Sequence, residues 1–377
     1  MPPPPPTTPE PEPTLPDELI EEVFLRLPPD EPAWLVRASL ASKLWLGLLT
    51  GPAFHGRYRE FHGAPPMLGL FYSAHPCQRF LGEKPDPLFV STTGFRASIP
   101  NNTHWGWESD GCYPLDCRHG RVALGHKYSP LMPLAVLDPV AGCCWDTGPP
   151  PCHYSYGAAV LCAVTGCDHL ACHDDTFRVV YVGLNMNLNG GTTASVWISS
   201  SQTGDCSDPS SKFHLGGWSQ ACSGFHIEAD PFIKNACPVL VKDALHFMLL
   251  DTDDGDDGED CWPGILSYDL SSDCLSRIDA PLDVVDTSTA TILMALEDGS
   301  LGFAYVDGLT LKIRLKLIGS VDGCDIIFVT TDLGIYKINL RTLQWKKLWN
   351  REIFLSLVPY MSFYNPKERV RPCEVTH

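Results

Sequence analysis

A chain of 377 residues with 44% hydrophobic and 19% charged residues can bury a core of useful size and belongs with globular rather than disordered proteins. Its formal net charge of −18 argues against broad electrostatic binding to nucleic acid or anionic membranes, which need clustered positive charge, and a basic partner surface is the better match. The 34 prolines and 31 glycines suit a chain that turns often between short strands.

The opening MPPPPPTTPEPEPT has no basic n-region and no apolar h-region, so residues 1–13 read as an extended polyproline-like tail and not a secretory signal. No apolar run approaches the roughly 20 residues of a membrane helix. The sixteen cysteines are expected to be reduced thiols, in cytoplasm or nucleus.

Next, LPDELIEEVFLRLPPDEP places Leu15, Leu19, Ile20, Val23, Phe24 and Leu27 at helical spacing. Pro16 suits a first helical turn, and Asp17, Glu18, Glu21 and Glu22 lie early, where the helix dipole favours negative charge. Pro28 and Pro29 stop the helix. A second stretch, PAWLVRASLASKLWLGLL, carries Leu35, Val36, Leu40, Leu44 and Trp45 at its apolar positions, with Arg37 and Lys43 as its charges, and Gly51-Pro52 ends it. A third short helix is expected over residues 53–62, with Phe54, Tyr58 and Phe61 on one side. Helices this short need partners, so residues 14–62 predict a three-helix module. Leu15, Pro16, Leu19 and Val23 exceed what its core needs; they are left for a partner groove, or they seal the module onto the domain that follows.

These residues resemble the F-box. The shared frame is Leu-Pro, an acidic residue and Leu, an aliphatic pair, a second helix with Arg-Ala-Ser, then Lys-x-Trp and a late Phe. Here it is filled by Leu15, Pro16, Glu18, Leu19, Val23, Leu27, Arg37, Ser39, Lys43, Trp45 and Phe54. Ala41-Ser42 departs from it, since many members carry Val-Cys or Val-Ser before the lysine. The resemblance implies docking on the Skp-type adaptor of a cullin–RING (SCF) ubiquitin ligase, with Leu15, Pro16, Leu19, Ile20, Val23, Leu27, Leu35, Val36, Leu40 and Trp45 as adaptor-binding residues. The continuation FHGAPPMLGLFYS is similar to large grass F-box families.

From residue 66 to 377 the texture is all-β. Short apolar runs such as MLGLFYS, LFVSTTGF, RVALG, FRVVYVGL, PVLVKDALHFMLL and CDIIFVTTDLGIYKINL alternate with turn signals. A loose frame recurs as AVLDPVAGCCW, SVWISSSQTGDC, ILSYDLSSDCL and IYKINLRTLQWKKL, each preceded by a companion strand. Such units suggest propeller blades; a β-sandwich would give short strands but not the frame. GCDHLACH, LMALEDGSLGFA and PYMSFYNP resemble plant F-box proteins of the grass type, which carry a kelch-like or F-box-associated β-propeller. After GLTLKIRL the chain runs almost straight into the next blade, where that family has a further Trp-bearing strand. The expected fold is therefore a helical module followed by an all-β propeller of about six blades, one of them incomplete, with five or seven as alternatives.

Chemistry has little support. Cys162, Cys167, His169, Cys172 and His173 crowd together but lack a paired CxxC and a second knuckle, so an ordinary reduced loop is preferred to zinc, and adjacent Cys143-Cys144 make a poor metal pair. Residues 251–262 (DTDDGDDGEDCW) fail the EF-hand pattern, because from Asp251 position five is Gly255 and position six Asp256. They read as a solvated acidic hairpin loop. No nucleophile elbow, HExxH or phosphate loop occurs. Loop aromatics are the weak candidates for substrate binding: Trp105, Trp107, Tyr154, Tyr156, Trp218 and Trp262. Trp145 and Trp345 are expected inside blades. No cofactor or metal is expected. The function that follows is a non-catalytic substrate receptor of an SCF-type ligase, linking the adaptor, and through it cullin, to an unidentified protein substrate. An adaptor-bound scaffold or decoy without a degradation target is the alternative.

Overall fold

Four helices, not three, build the N-terminal unit of the computed structural model, which describes residues 15–63, 65–74, 89–99, 112–126, 133–151, 153–164, 176–201, 213–228, 230–250, 264–279, 291–304, 316–320, 325–331, 333–350 and 354–363. They are α1 (Asp17–Leu25), α2 (Ala33–Ala41), α3 (Lys43–Thr50) and α4 (Pro52–His62). The long second helix expected from PAWLVRASLASKLWLGLL breaks at Ser42, whose backbone is extended (φ −154°, ψ 144°) and whose side chain accepts from the Leu44 N–H at 3.1 Å. Serine competes with the backbone for hydrogen bonds and so favours caps. Apolar spacing hides this break because the period resumes immediately. The unit's core is Ile20, Phe24, Leu25, Leu35, Leu49, Phe54 and Tyr58, all buried.

The second unit, Pro65–Phe363, consists of antiparallel sheets. In chain order, β1 (Met67–Ala74) and β2 (Phe89–Ser91) begin the first sheet. The second holds β3 (Cys112–Arg118), β4 (Arg121–His126), β5 (Ala135–Asp138) and β6 (Cys143–Asp146). The third holds β7 (Ser155–Cys162), β8 (Phe177–Met186), β9 (Thr192–Ser200) and β11 (Ser219–Ile227), while the short β10 (Phe213–His214) crosses back to pair in parallel with β6. The fourth holds β12 (Phe232–Ile233), β13 (Val239–Val241), β14 (Ala244–Leu250), β15 (Gly264–Asp269) and β16 (Cys274–Asp279). The fifth shows β17 (Ile292–Ala295) and β18 (Leu301–Ala304) among the described residues. The sixth holds β19 (Lys316–Ser320), β20 (Ile326–Thr331), β21 (Gly334–Asn339) and β22 (Trp345–Trp349). The last strand, β23 (Phe354–Met361), returns to β1, with Leu70 opposite Pro359 and Tyr72 opposite Leu357.

The inner strands, one from each sheet except the fourth, which contributes both β12 and β13, line a closed ring: β23 touches β3, β3 touches β7, β7 touches β12, β13 touches β17, β17 touches β19, and β19 touches β23. Six sheets packed face to face around such a ring form a propeller, and pairing the last strand with the first removes the open edge. Apolar clusters lie at five of the six interfaces among the described residues. Val136 meets Val160 and Val179 between the second and third sheets, and Val180 and Val182 meet Leu245 and Phe247 between the third and fourth. Val239 and Ile265 meet Leu293, Ile292 and Met294 meet Leu317 and Val329, and Ile335 meets Leu70 and Tyr72. The Tyr360 hydroxyl, donating to the Gly120 carbonyl at 3.2 Å, links the first sheet to the second. Burial on both faces explains why β8 reads as an unbroken apolar run. The strands β3 and β11 were not evident in the sequence. Pro114 interrupts β3, and β11 is largely polar and exposed.

The recurring frame has a physical cause. Asp138, Asp269 and Asn339 each end a strand, and each side chain accepts from the two backbone N–H groups two and three residues on, at 2.8–3.0 Å. Four residues after each stands a left-handed residue: Gly142 (φ 73°), Asp273 (φ 52°) and Leu343 (φ 54°). Glycine tolerates that conformation and leucine does not, and the Leu343 side chain is exposed. Leu343→Gly is therefore expected to raise stability by about 0.5–1 kcal/mol, the left-handed penalty less glycine's greater loss of backbone entropy. A lowered urea midpoint would contradict this. Trp145 is buried in its blade as expected, but Trp345 is 68% exposed. It lies on β22, the outermost described strand of its sheet, and no further strand among the described residues pairs there.

Burial pushes the imidazoles of His126, His153 and His246 below the ordinary histidine value. As pH falls, the unfolded chain takes up protons before the folded one does. The stability linked to these neutral rings is thus complete above about pH 6.5 and is lost as pH drops toward their folded-state values. The thermal midpoint is expected to fall between about pH 7.5 and about pH 5.5, less steeply in His246→Leu. Circular dichroism melts with a flat midpoint over that range would contradict it.

Candidate docking surface

In the helical unit, Pro16 sits just ahead of α1, and its carbonyl accepts from Leu19 N at 3.0 Å and Ile20 N at 3.2 Å. The first turn then carries Asp17 and Glu18, matching the positive end of the helix dipole. Because α1 turns Ile20, Phe24 and Leu25 inward, Leu15, Leu19 and Val23, spaced by four, fall on the opposite side. They are 62%, 52% and 58% exposed. The inner face is fixed from behind. The Tyr58 hydroxyl donates to the Leu27 carbonyl at 2.8 Å, His62 Nε2 meets the Leu25 carbonyl at 2.8 Å, and Trp45 sets its ring against Phe24 at 5.3 Å between centroids. Arg57 of α4 pairs with Glu21 and Glu22 at 2.8 and 2.9 Å. Arg26 and then Arg57 hold the Glu22 carboxyl below the usual carboxylate range.

The ten residues expected to contact an adaptor therefore divide. Leu15, Pro16, Leu19, Val23 and Leu40 are exposed; Val36, Leu27 and Trp45 are half-buried; Ile20 and Leu35 are buried and support the surface from within. Trp34, Leu44 and Phe61 are also exposed. Spacing marks a helix's apolar side but cannot separate core from surface when a small unit carries apolar residues on several faces. Trp34 is held in place, its Nε1 donating to Glu31 at 2.6 Å and its ring lying 5.2 Å from the Arg37 guanidinium.

The loop aromatics fare differently. Tyr156 is buried, accepting from the His126 N–H at 3.0 Å and donating to its carbonyl at 2.7 Å, with its ring stacked on Tyr181. The Tyr154 hydroxyl donates to the Pro231 carbonyl at 2.6 Å, tying the third sheet to the fourth, and Trp218 Nε1 donates to the Gly148 carbonyl at 2.8 Å. All three are anchored within or between blades. Trp105, Trp107 and Trp262 lie outside the described residues, as do Cys167, His169, Cys172, His173 and the acidic run 251–262. Cys162 ends β7, buried, with its Sγ accepting from Val164 N at 3.3 Å. Among the described residues no group of three or more His, Cys, Asp or Glu side chains is placed to hold a metal.

Residues 13–55 match the family model of the F-box domain, which supports an F-box protein. A sequence search of curated proteins gave no match. Among solved structures, the chain is similar to the WD40 domain of SCAP from fission yeast, at 11% identity over 63% of this chain and 41% of that one, with a TM-score of 0.26. It is similar to the fission yeast SREBP–SCAP binding-domain complex at 12% identity, over 63% and 48%, with a TM-score of 0.25. The extracellular domain of a one-component system from B. thetaiotaomicron gives 13% identity, over 70% and 39%, and a TM-score of 0.28. The chain spans less than half the length of each of these structures.

Proposed function

We propose that this chain is the substrate-receptor subunit of an SCF-type cullin–RING ubiquitin ligase. Its helices dock on the Skp-type adaptor and, through it, on cullin, while the propeller, read as the kelch-like or F-box-associated kind of grass proteins, recruits a protein substrate. The observation that carries this is the coincidence of the F-box match at residues 13–55 with a solvent-facing Leu15–Leu19–Val23 stripe on α1. Such a stripe on a rigid helix suits insertion into a partner groove. The receptor has no chemical step of its own. It raises the effective concentration of a substrate lysine near the charged conjugating enzyme. The same reading places the protein in the cytoplasm or nucleus, where the ligase works.

Affinity purification of the full chain and of a chain lacking residues 1–64 tests this. Adaptor and cullin should co-purify with the full chain and vanish on deletion, and substrates held by the propeller should accumulate when the protein is depleted. Adaptor and cullin retained by the deleted chain would refute the assignment. Their loss with no protein accumulating would instead favour the scaffold alternative.

A further inference from the structure

The hairpin of β21 and β22 gathers three unfavourable features in one place. Leu343 holds a left-handed backbone where the equivalent turns carry Gly142 and Asp273, and its side chain is 75% exposed. Trp345 stands opposite Ile338, at the register that Leu275 occupies opposite Tyr268 in the fourth sheet, yet Leu275 is buried and Trp345 is not. Lys337 and Lys346 are directly opposite across the strands, a like-charge pair that destabilises a sheet.

Charge sharpens the picture. Residues 333–349 contain Lys337, Arg341, Lys346 and Lys347 and no acidic residue, in a chain whose net charge is −18. Arg341 is engaged by Glu297 and Asp325, whereas Lys337, Lys346 and Lys347 have no acidic ion-pair partner among the described residues. Tyr336 braces the surface, with the Trp345 ring 5.7 Å away edge-on and the Lys347 Nζ 5.7 Å from its own ring. The outer edge of β22 pairs with no strand among the described residues. Lysines on an edge strand discourage unwanted strand addition, which accounts for Lys346 and Lys347 but not for an exposed Trp345 beside a strained, exposed Leu343.

We propose that this hairpin is a docking surface for an acidic, extended peptide segment of a partner protein. Its carboxylates would face Lys337, Lys346 and Lys347, an apolar side chain would pack on Trp345 and Leu343, and its backbone would add to the edge of β22. That the partner is the ligase substrate rests on the receptor reading above; the binding itself does not.

The test uses the full chain and synthetic peptides of about 10 residues, the upper end of strand length, graded from acidic to basic around one central tryptophan or leucine. Acidic peptides should be retained, and released near 1 M salt, where charges are screened within about 3 Å. Lys346→Glu with Lys347→Glu should weaken the best acidic peptide at least ~10-fold and turn the preference toward basic ones. Leu343→Gly should weaken the same peptide while raising the urea midpoint, a combination that a merely structural leucine would not give. Equal retention of acidic and basic peptides, or unchanged affinity in both folded variants, overturns the proposal. So does self-association of the chain abolished by Trp345→Ala, which would assign the surface to a second copy. Adaptor binding measured on the same variants should be unchanged; its absence from the parent chain would sink the receptor reading and leave this one standing.

Discussion

Replacing Leu19 and Val23 together by aspartate is expected to abolish binding to a Skp-type adaptor while the chain stays folded. Both side chains are more than half exposed, so the substitution removes little from the core and places two charges where the proposed adaptor groove would close. As single alanine variants, each is expected to weaken binding by about 2 kcal/mol, roughly 30-fold, the size of an interface hot spot. Ile20→Ala provides the contrast. Ile20 is buried behind the same helix, and its truncation should act through folding, at about 2–4 kcal/mol, and reduce helicity along with binding. Titration calorimetry with circular dichroism separates the two. Full affinity in the folded double variant would remove α1 from the interface.

The second large effect lies in the propeller. Asp116 on β3 is buried, pairs with Arg118, whose side chain is 8% exposed, and accepts from the Val160 N–H at 2.8 Å, while Arg118 donates to the Pro238 carbonyl. One carboxylate therefore ties the second sheet to the third and, through Arg118, to the fourth. Asp116→Ala strips a nearby counter-charge from a guanidinium that is itself buried, a change that typically costs 3–5 kcal/mol, against a total domain stability of about 5–15 kcal/mol. The surface pairs of Arg57 with Glu21 and Glu22 are solvated, so Arg57→Ala should cost about 0–1 kcal/mol. Urea denaturation of the two variants should show this difference; a loss below about 1 kcal/mol in Asp116→Ala would mean that the pair is not structural.

Much of this molecule is local, and that part is legible in sequence. The helices of residues 17–62 follow from spacing and proline stops, and the F-box frame falls on one contiguous stretch, but spacing alone does not separate the exposed Leu15, Leu19 and Val23 from the buried Ile20 and Leu35. The strands from β4 to β9 follow from apolar runs and turn chemistry. What escaped notice depends on contacts distant in sequence or on a single backbone angle. The Ser42 break hides inside an unbroken apolar period. Tyr154, Tyr156 and Trp218 look like loop aromatics until Pro231, His126 and Gly148 come within hydrogen-bonding reach. Trp345 looks like a blade tryptophan until its strand proves to be the outermost described one of its sheet.

The most direct measurement is titration of the purified full chain with a recombinant Skp-type adaptor. The account predicts a one-to-one complex with a Kd below about 1 μM, about −8 kcal/mol, lost in the Leu19→Asp, Val23→Asp double variant. A folded chain that shows no heat of binding and no complex by size exclusion would contradict it.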